Sequence, residues 1–267
     1  MTKRAVFTTI VILAAIAALL LKFGPFYERR EREGIIEGKP DIAYKPAVAI
    51  VLDDFGYTEK NLKDLKRINA PVTIAVLPNT PYSKKVSSFA GDNGMEVILH
   101  LPMEPMDQRE ALEEDTIRAD MSEREVKHII DNSLRSVPGA VGVSNHMGSK
   151  ATKDKKIMGI VLDDIYGRGM FFLDSRTSKG SVCGYIAEKK GMQIAERDIF
   201  IDNVMDKKEI AERLKDLEKE AVSKGFCVAI GHDRSLTIEV LKRIVPEMQE
   251  KGIKFVKLSE LVKGRGR

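Results

Sequence analysis

Residues 47–263 are predicted to form an α/β fold, a single closed or nearly closed (β/α) barrel of about seven parallel strands preceded by an N-terminal hydrophobic helix. Three observations carry this reading. Short apolar runs alternate with amphipathic stretches from Ala47 onward. The runs are continuous rather than alternating, which marks strands buried on both faces. Single helical patterns separate them, and seven such units in about 220 residues suit one barrel better than two domains. An open doubly wound sheet is the alternative. No glycine-rich fingerprint follows the first strand, so a dinucleotide site is not expected.

The strand-like runs are 47–52 (AVAIVL), 72–77 (VTIAVL), 96–99 (EVIL), 140–144 (AVGVS), 170–174 (MFFLD), 226–231 (FCVAIG) and 253–256 (IKFV). Helical spacing covers 59–69, 82–92, 122–136, 154–168, 181–190, 207–223 and 236–250. The pentapeptide IVLDD occurs at 50–54 and again at 160–164. The first copy runs into Phe55-Gly56 and reads as a strand entering a loop. In the second, Ile157, Val161 and Ile165 recur every four residues, Asp154 is placed to cap the start, and Asp163 and Asp164 become solvated helix residues.

In such barrels the working groups sit where strands end in loops. The polar residues at those ends are few: Asp53-Asp54, His100, Ser144-Asn145-His146, Asp174-Ser175-Arg176 and His232-Asp233-Arg234. The chain has four histidines and three of them fall there; His128, between Lys127 and Ile129, reads as a surface residue. Imidazoles grouped with carboxylates suit a divalent metal with an open position for water. Adjacent Asp53 and Asp54 repel unless a cation sits beside them. Where the strand turns into its loop, one can ligate while the other takes a proton from water. His232, arriving from another strand, can protonate a leaving group.

Six ordered segments, IVLDDFGY (50–57), HLPMEP (100–105), SNHMGSKAT (144–152), FFLDSRTS (171–178), AERDIFIDN (195–203) and AIGHDRSLTIEVL (229–241), resemble the divergent polysaccharide deacetylases, a distant branch of the metal-dependent carbohydrate deacetylases. The similarity spans about residues 46–262. It implies a distorted (β/α) barrel, a divalent metal, Zn²⁺ by preference, and a polysaccharide substrate. It further implies Asp53 as base, Asp54 and His100 as metal ligands, and His232 as acid. The main family's second histidine, four positions on, is Glu104 here, so His146 is expected to complete the metal set, with Glu104 as a substitute or extra ligand. Asp174 is assigned to orienting a histidine or meeting sugar hydroxyls. Asp233 either orients His232 or is a turn residue, and Arg176 either binds a substrate anion or makes a structural ion pair. The function expected is hydrolysis of N- or O-linked acetyl groups on an envelope or exported polysaccharide. The alternatives are a non-catalytic glycan-binding, envelope-organising protein that retains the barrel, with or without the metal, and another hydrolase such as a two-carboxylate glycosidase.

Residues 1–22 read as a signal-anchor or signal segment, and 23–46 as a charged tether. Ala5 to Leu21 carry no charge, and as a helix they would span roughly 25 Å, at the short end of what crosses a bilayer core. No A-x-A site closes the run cleanly, which favours an anchor over a cleaved secretory signal. Lys22, Arg29, Arg30 and Arg32 outnumber Lys3, Arg4 and the terminal amine, so the count of positive charges does not favour export of the body. A hydrophobic segment at the extreme N-terminus nevertheless serves export, and the body is expected outside the cytoplasm, on the membrane or secreted.

With 267 residues, 43% hydrophobic and 31% charged, the chain is neither a disordered tail nor a disulfide-stapled miniprotein. Of its 44 basic and 40 acidic residues, seven and four lie in 1–40, leaving 37 against 36 in the body. That balance gives no support for a nucleic-acid partner. Cys183 and Cys227 lack metal spacing, and Cys227 reads as a buried thiol.

Overall fold

A computed structural model describes residues 45–264, so the segment 1–22 and nearly all of the tether lie outside the described residues. In chain order the elements are β1 (Ala47–Phe55), α1 (Leu62–Leu65), β2 (Val72–Val76), α2 (Ser83–Asp92), β3 (Glu96–Met103), α3 (Glu123–Ser136), β4 (Gly142–Met147) and α4 (Lys155–Gly167). Then come β5 (Phe171–Asp174), α5 (Cys183–Lys190), β6 (Ile194–Glu196), β7 (Ile199–Phe200), α6 (Lys207–Lys224), β8 (Phe226–His232), α7 (Ser235–Glu250), β9 (Lys254–Phe255) and α8 (Leu258–Gly264).

One curled, all-parallel sheet runs β6-β5-β4-β3-β2-β1-β8-β7, with β9 paired to the start of β1. It has nine strands rather than about seven. The two additional ones, β6 and β7, are three and two residues long, too short to show a period. They close the curl in an unusual way. β6 pairs with β5, β7 pairs with β8, and only Arg197 and Asp198 separate them in the chain. The two ends of the ladder are therefore joined by a single extended segment.

The continuous apolar runs are buried on both faces, as parallel strands require. Val48, Ile50 and Leu52 join the outer core beneath the helices. Ala49, Val51, Ala75, Ile98, Leu173, Val228 and Ile230 form the inner cluster, where Leu258 and Val262 of α8 also pack. Buried Glu96 fixes the start of that helix: its Oε1 accepts from Thr73 Oγ1 at 2.9 Å and from the Ser259 amide at 3.1 Å.

Most helices fall where the periodicity places them. The 59–69 pattern yields only four helical residues, because buried Asn61 leaves its capping position unserved and ties two loops together instead. It donates to Asp233 Oδ1 at 2.7 Å and accepts from Ser235 Oγ at 2.8 Å. The second IVLDD copy is helical as read. Asp154 Oδ1 accepts from the Ile157 amide at 2.9 Å, and Asp163 and Asp164 pair with Lys190 and Arg168. Replacing Asp154 by Ala is expected to cost about 1 kcal/mol, read as a lower denaturation midpoint with an unchanged m-value. Both cysteines are free and buried, and burial pushes each thiol up to about 12.

Candidate metal centre

The strand period aims several polar side chains at one place. In β1, Ala49 and Val51 face inward, and Asp53 continues that face two residues on. His100 follows Ile98 in β3, and His232 follows Val228 and Ile230 in β8. Neighbouring strands align them: Asp53 sits opposite His232, His100 opposite Ser144, and Pro102 opposite His146. His100 does not end its strand, since β3 runs on to Met103.

Asp54 would point outward if β1 stayed regular. The register with β2 shifts between Leu52 and Phe55, and Asp54 takes φ 64°. This irregularity turns the second carboxylate toward the same centre, one residue before the Phe55-Gly56 turn expected to do so. Among the described residues, the other non-glycine positions with positive φ are Asn79, Met147 and Arg176, which follow or end β2, β4 and β5. Backbone strain is therefore gathered at the mouth, where the site is.

The ligand atoms of Asp54, His100 and His146 all lie within 4.8 Å of one another. Asp54 Oδ1 is 3.3 Å from His100 Nε2 and 3.0 Å from His146 Nδ1. The two rings meet edge to face with centroids 5.0 Å apart. Asp53 Oδ2 is 3.6 Å from His100 Nε2, and His232 Nε2 is 3.7 Å from Asp54 Oδ2. Behind the trio, Ser144 Oγ holds His100 Nδ1 at 2.7 Å, which fixes the ring and turns Nε2 to the centre.

The electrostatics suit a bound cation. Burial, then the charges of Asp54 and Asp202, raise the Asp53 carboxyl well above its usual value, with Arg197 opposing. Asp53 Oδ1 is buried with no hydrogen-bond partner among the described residues. Burial also pushes Asp54 up, but hydrogen bonds from His100 and His146, and their charge, outweigh it and hold the carboxyl far below the usual range. Burial takes His100 down to about 4 against the pull of Asp54, so its ring is neutral and free to ligate at pH 7. Two imidazoles and one carboxylate, facing an orphaned carboxylate oxygen, fit a divalent metal with open positions.

The other sequence candidates are engaged elsewhere. Glu104 pairs with Lys150 at 2.6 Å and accepts from the Ala119 amide at 2.8 Å, which ties down its own loop. Asp174 accepts from the Arg176 amide at 2.8 Å and from Ser181 Oγ at 2.6 Å, orienting no histidine. Arg176 makes the structural ion pair, to Glu196 at 3.0 Å. Asp233 is bound by Asn61, and its backbone amide donates to Asp53 O at 2.9 Å. It does not hold His232.

That task belongs to Asp202, a residue outside the sequence candidates although it lies in the AERDIFIDN segment. It is fully buried just after β7. Its Oδ1 takes His232 Nδ1 at 2.8 Å, and its Oδ2 accepts from the His232 amide at 2.9 Å and Thr237 Oγ1 at 2.7 Å. Burial raises the Asp202 carboxyl, but these bonds and the histidine's charge bring it down overall. The readable signal was the I-F-I-D run, where a second short strand after 194–196 would have put Asp202 at a strand end.

The chain is similar to known proteins in sequence and in fold. The sequence model of the family described as "divergent polysaccharide deacetylase" matches residues 50–262. The Escherichia coli (strain K12) protein named "Uncharacterized protein YibQ" is 34% identical over 215 residues, covering 80% of this chain and 67% of its own. The crystal structure of an uncharacterized protein from Agrobacterium tumefaciens C58 superposes with TM-score 0.75 at 26% identity, over 81% of this chain and 89% of that one. A family 4 acetyl xylan esterase from Clostridium thermocellum, solved in complex with a cobalt ion, shares the fold at TM-score 0.50 and 15% identity, over 82% and 92% of the two chains. The family match spans residues 50–262, most of the chain, and the chain belongs to the divergent polysaccharide deacetylases.

Proposed function

We propose that the protein is a metal-dependent hydrolase that removes N- or O-linked acetyl groups from an envelope or exported polysaccharide. The observation that carries this reading is the convergence of Asp54, His100 and His146 on one point, flanked by Asp53 and His232. These three residues hold the cation, for which the two-imidazole, one-carboxylate set favours Zn²⁺. When bound, the metal supplies Lewis acidity toward the acyl carbonyl and lowers the pKa of water.

The chain's own groups do the rest. Asp53 is the base: its desolvated carboxylate, held up in pKa, accepts a proton from the attacking water more readily than an ordinary aspartate. Arg197 lies close enough to temper that shift, keeping the carboxylate available. His232 presents Nε2 toward the centre while Asp202 anchors Nδ1, so the proton it delivers to the departing amine or alcohol leaves from a fixed position. The N-terminal segment 1–22 supports a body anchored at, or secreted across, a membrane.

The test is acetate release from acetylated glycans by the purified protein with added Zn²⁺, Co²⁺ or Mn²⁺. Release with at least one metal is the expected result. Glycan affinity without release under any metal, across a broad substrate panel, overturns the enzyme reading in favour of a binding protein. Asp202 is a positioning residue, so Asp202→Asn is expected to lower kcat by about 10²-fold while KM changes little. A change confined to KM would remove it from the mechanism.

A further inference from the structure

Two segments that start at the mouth, each a loop and helical residues that follow it, carry charge that the deacetylation chemistry leaves unused. Residues 149–156, from the loop after β4 into the first turn of α4, and residues 175–190, from the loop after β5 through α5, hold eight basic residues against two acidic ones, Asp154 and Glu188. Asp154 is committed to capping α4. Lys150, Arg176 and Lys190 are matched by Glu104, Glu196 and Asp163, and Lys156 donates to the Met121 carbonyl. Lys153, Lys155, Lys179 and Lys189 are exposed and make no ion pair among the described residues.

These ammonium groups are not scattered. The two loops are joined by the Val182 amide donating to Thr152 O at 2.8 Å, and to the centre by Thr177 Oγ1 donating to Met147 O, next to His146, at 2.8 Å. The stem of Lys153 lies against the second loop, so that a β-carbon on Gly180 would stand 3.1 Å from its Cε. The Nζ atoms of Lys155 and Lys189 sit 5.2 and 5.9 Å from the ring centroid of Tyr185, whose ring is half exposed. Like charges gathered this way repel one another and project a positive potential that only an anion relieves.

We propose that this ledge binds a glycan strand bearing carboxylates or phosphates and feeds it toward the neighbouring centre. Lysine ammonium groups are compact point charges that serve either anion, and Tyr185, itself 54% exposed, stands among them. The inference rests on the deacetylase reading for the group that reacts, but the binding itself requires no turnover.

The experiment measures binding of the full chain in detergent to polygalacturonate, a phosphomannan, neutral dextran and single-stranded poly(dT). At least one anionic glycan is expected to bind about tenfold or more tighter than dextran, and to weaken between about 0.1 M and 1 M salt as screening shortens. Which of the two binds assigns carboxylate or phosphate. The triple variant Lys153→Glu/Lys179→Glu/Lys189→Glu is expected to lose about tenfold or more in affinity, and the Gln version to lose less, in the same direction. Both variants should keep the parent's melting temperature and circular-dichroism spectrum, which shows that the fold survives. Equal binding of dextran, unchanged affinity in the triple variant, or poly(dT) bound as tightly as the glycans overturns the proposal. Anionic-glycan binding without acetate release from any substrate sinks the deacetylase reading alone.

Discussion

Replacing Asp53 by Asn is expected to reduce acetate release by about 10²- to 10⁴-fold, the range general-base catalysis contributes, with the metal content and melting temperature maintained or raised. The residue is 3% exposed, sits beside Asp54, and leaves Oδ1 without a partner among the described residues. Asparagine keeps its volume while removing a buried negative charge that burial and two neighbouring carboxylates disfavour. Activity and stability should therefore move apart. A loss of metal together with activity would show that Asp53 is a ligand instead. Activity within a few-fold of the parent would remove it as the base.

Adding Zn²⁺ to metal-depleted protein is expected to raise the melting temperature by about 5–10 °C at a free metal concentration of a hundred times Kd. Ligand binding at that excess stabilises by about 2.7 kcal/mol, and a domain of this size gains roughly 2–4 °C per kcal/mol. His146→Ala should abolish the shift and the activity together. It removes one of the three ligand atoms found among the described residues and leaves Asp54 Oδ1 with His100. His146 is partly exposed, so its loss opens no large cavity, and the variant should fold. A Zn²⁺ shift that persists in His146→Ala would show that the cation binds elsewhere. The corresponding change at exposed His128 should alter neither quantity.

Much of the architecture was legible because burial on both faces leaves a strong mark. A run such as AVAIVL cannot be a surface strand, and the spacing of Ile157, Val161 and Ile165 fixes a helical face whatever the letters IVLDD do elsewhere. Three of the four histidines could be singled out from their place in the strand pattern alone. What stayed hidden depends on through-space partners or on irregular backbone. β6 and β7, three and two residues long, are too short to show a repeating pattern. The turn of Asp54 comes from a register shift against β2, and such a shift leaves no compositional trace. Glu104, Asp174 and Arg176 have the right chemistry for a site, yet each is claimed by a neighbour that is distant in sequence or set by a loop. Asp202 went unnoticed for the converse reason: its importance lies in a contact with His232, 30 positions later, that no local pattern announces.

The short segment that joins the two margins of the sheet has an evolutionary consequence. Ile194–Glu196 must match β5, Ile199–Phe200 must match β8, and Arg197 and Asp202 must still reach Asp53 and His232. One inserted residue would slip one of those margins by a step and swing its side chains to the opposite face. Relatives should therefore vary the loops after β3 and β5 in length while holding this link to a constant residue count. It works as a keystone, short enough to be overlooked and too constrained to lengthen.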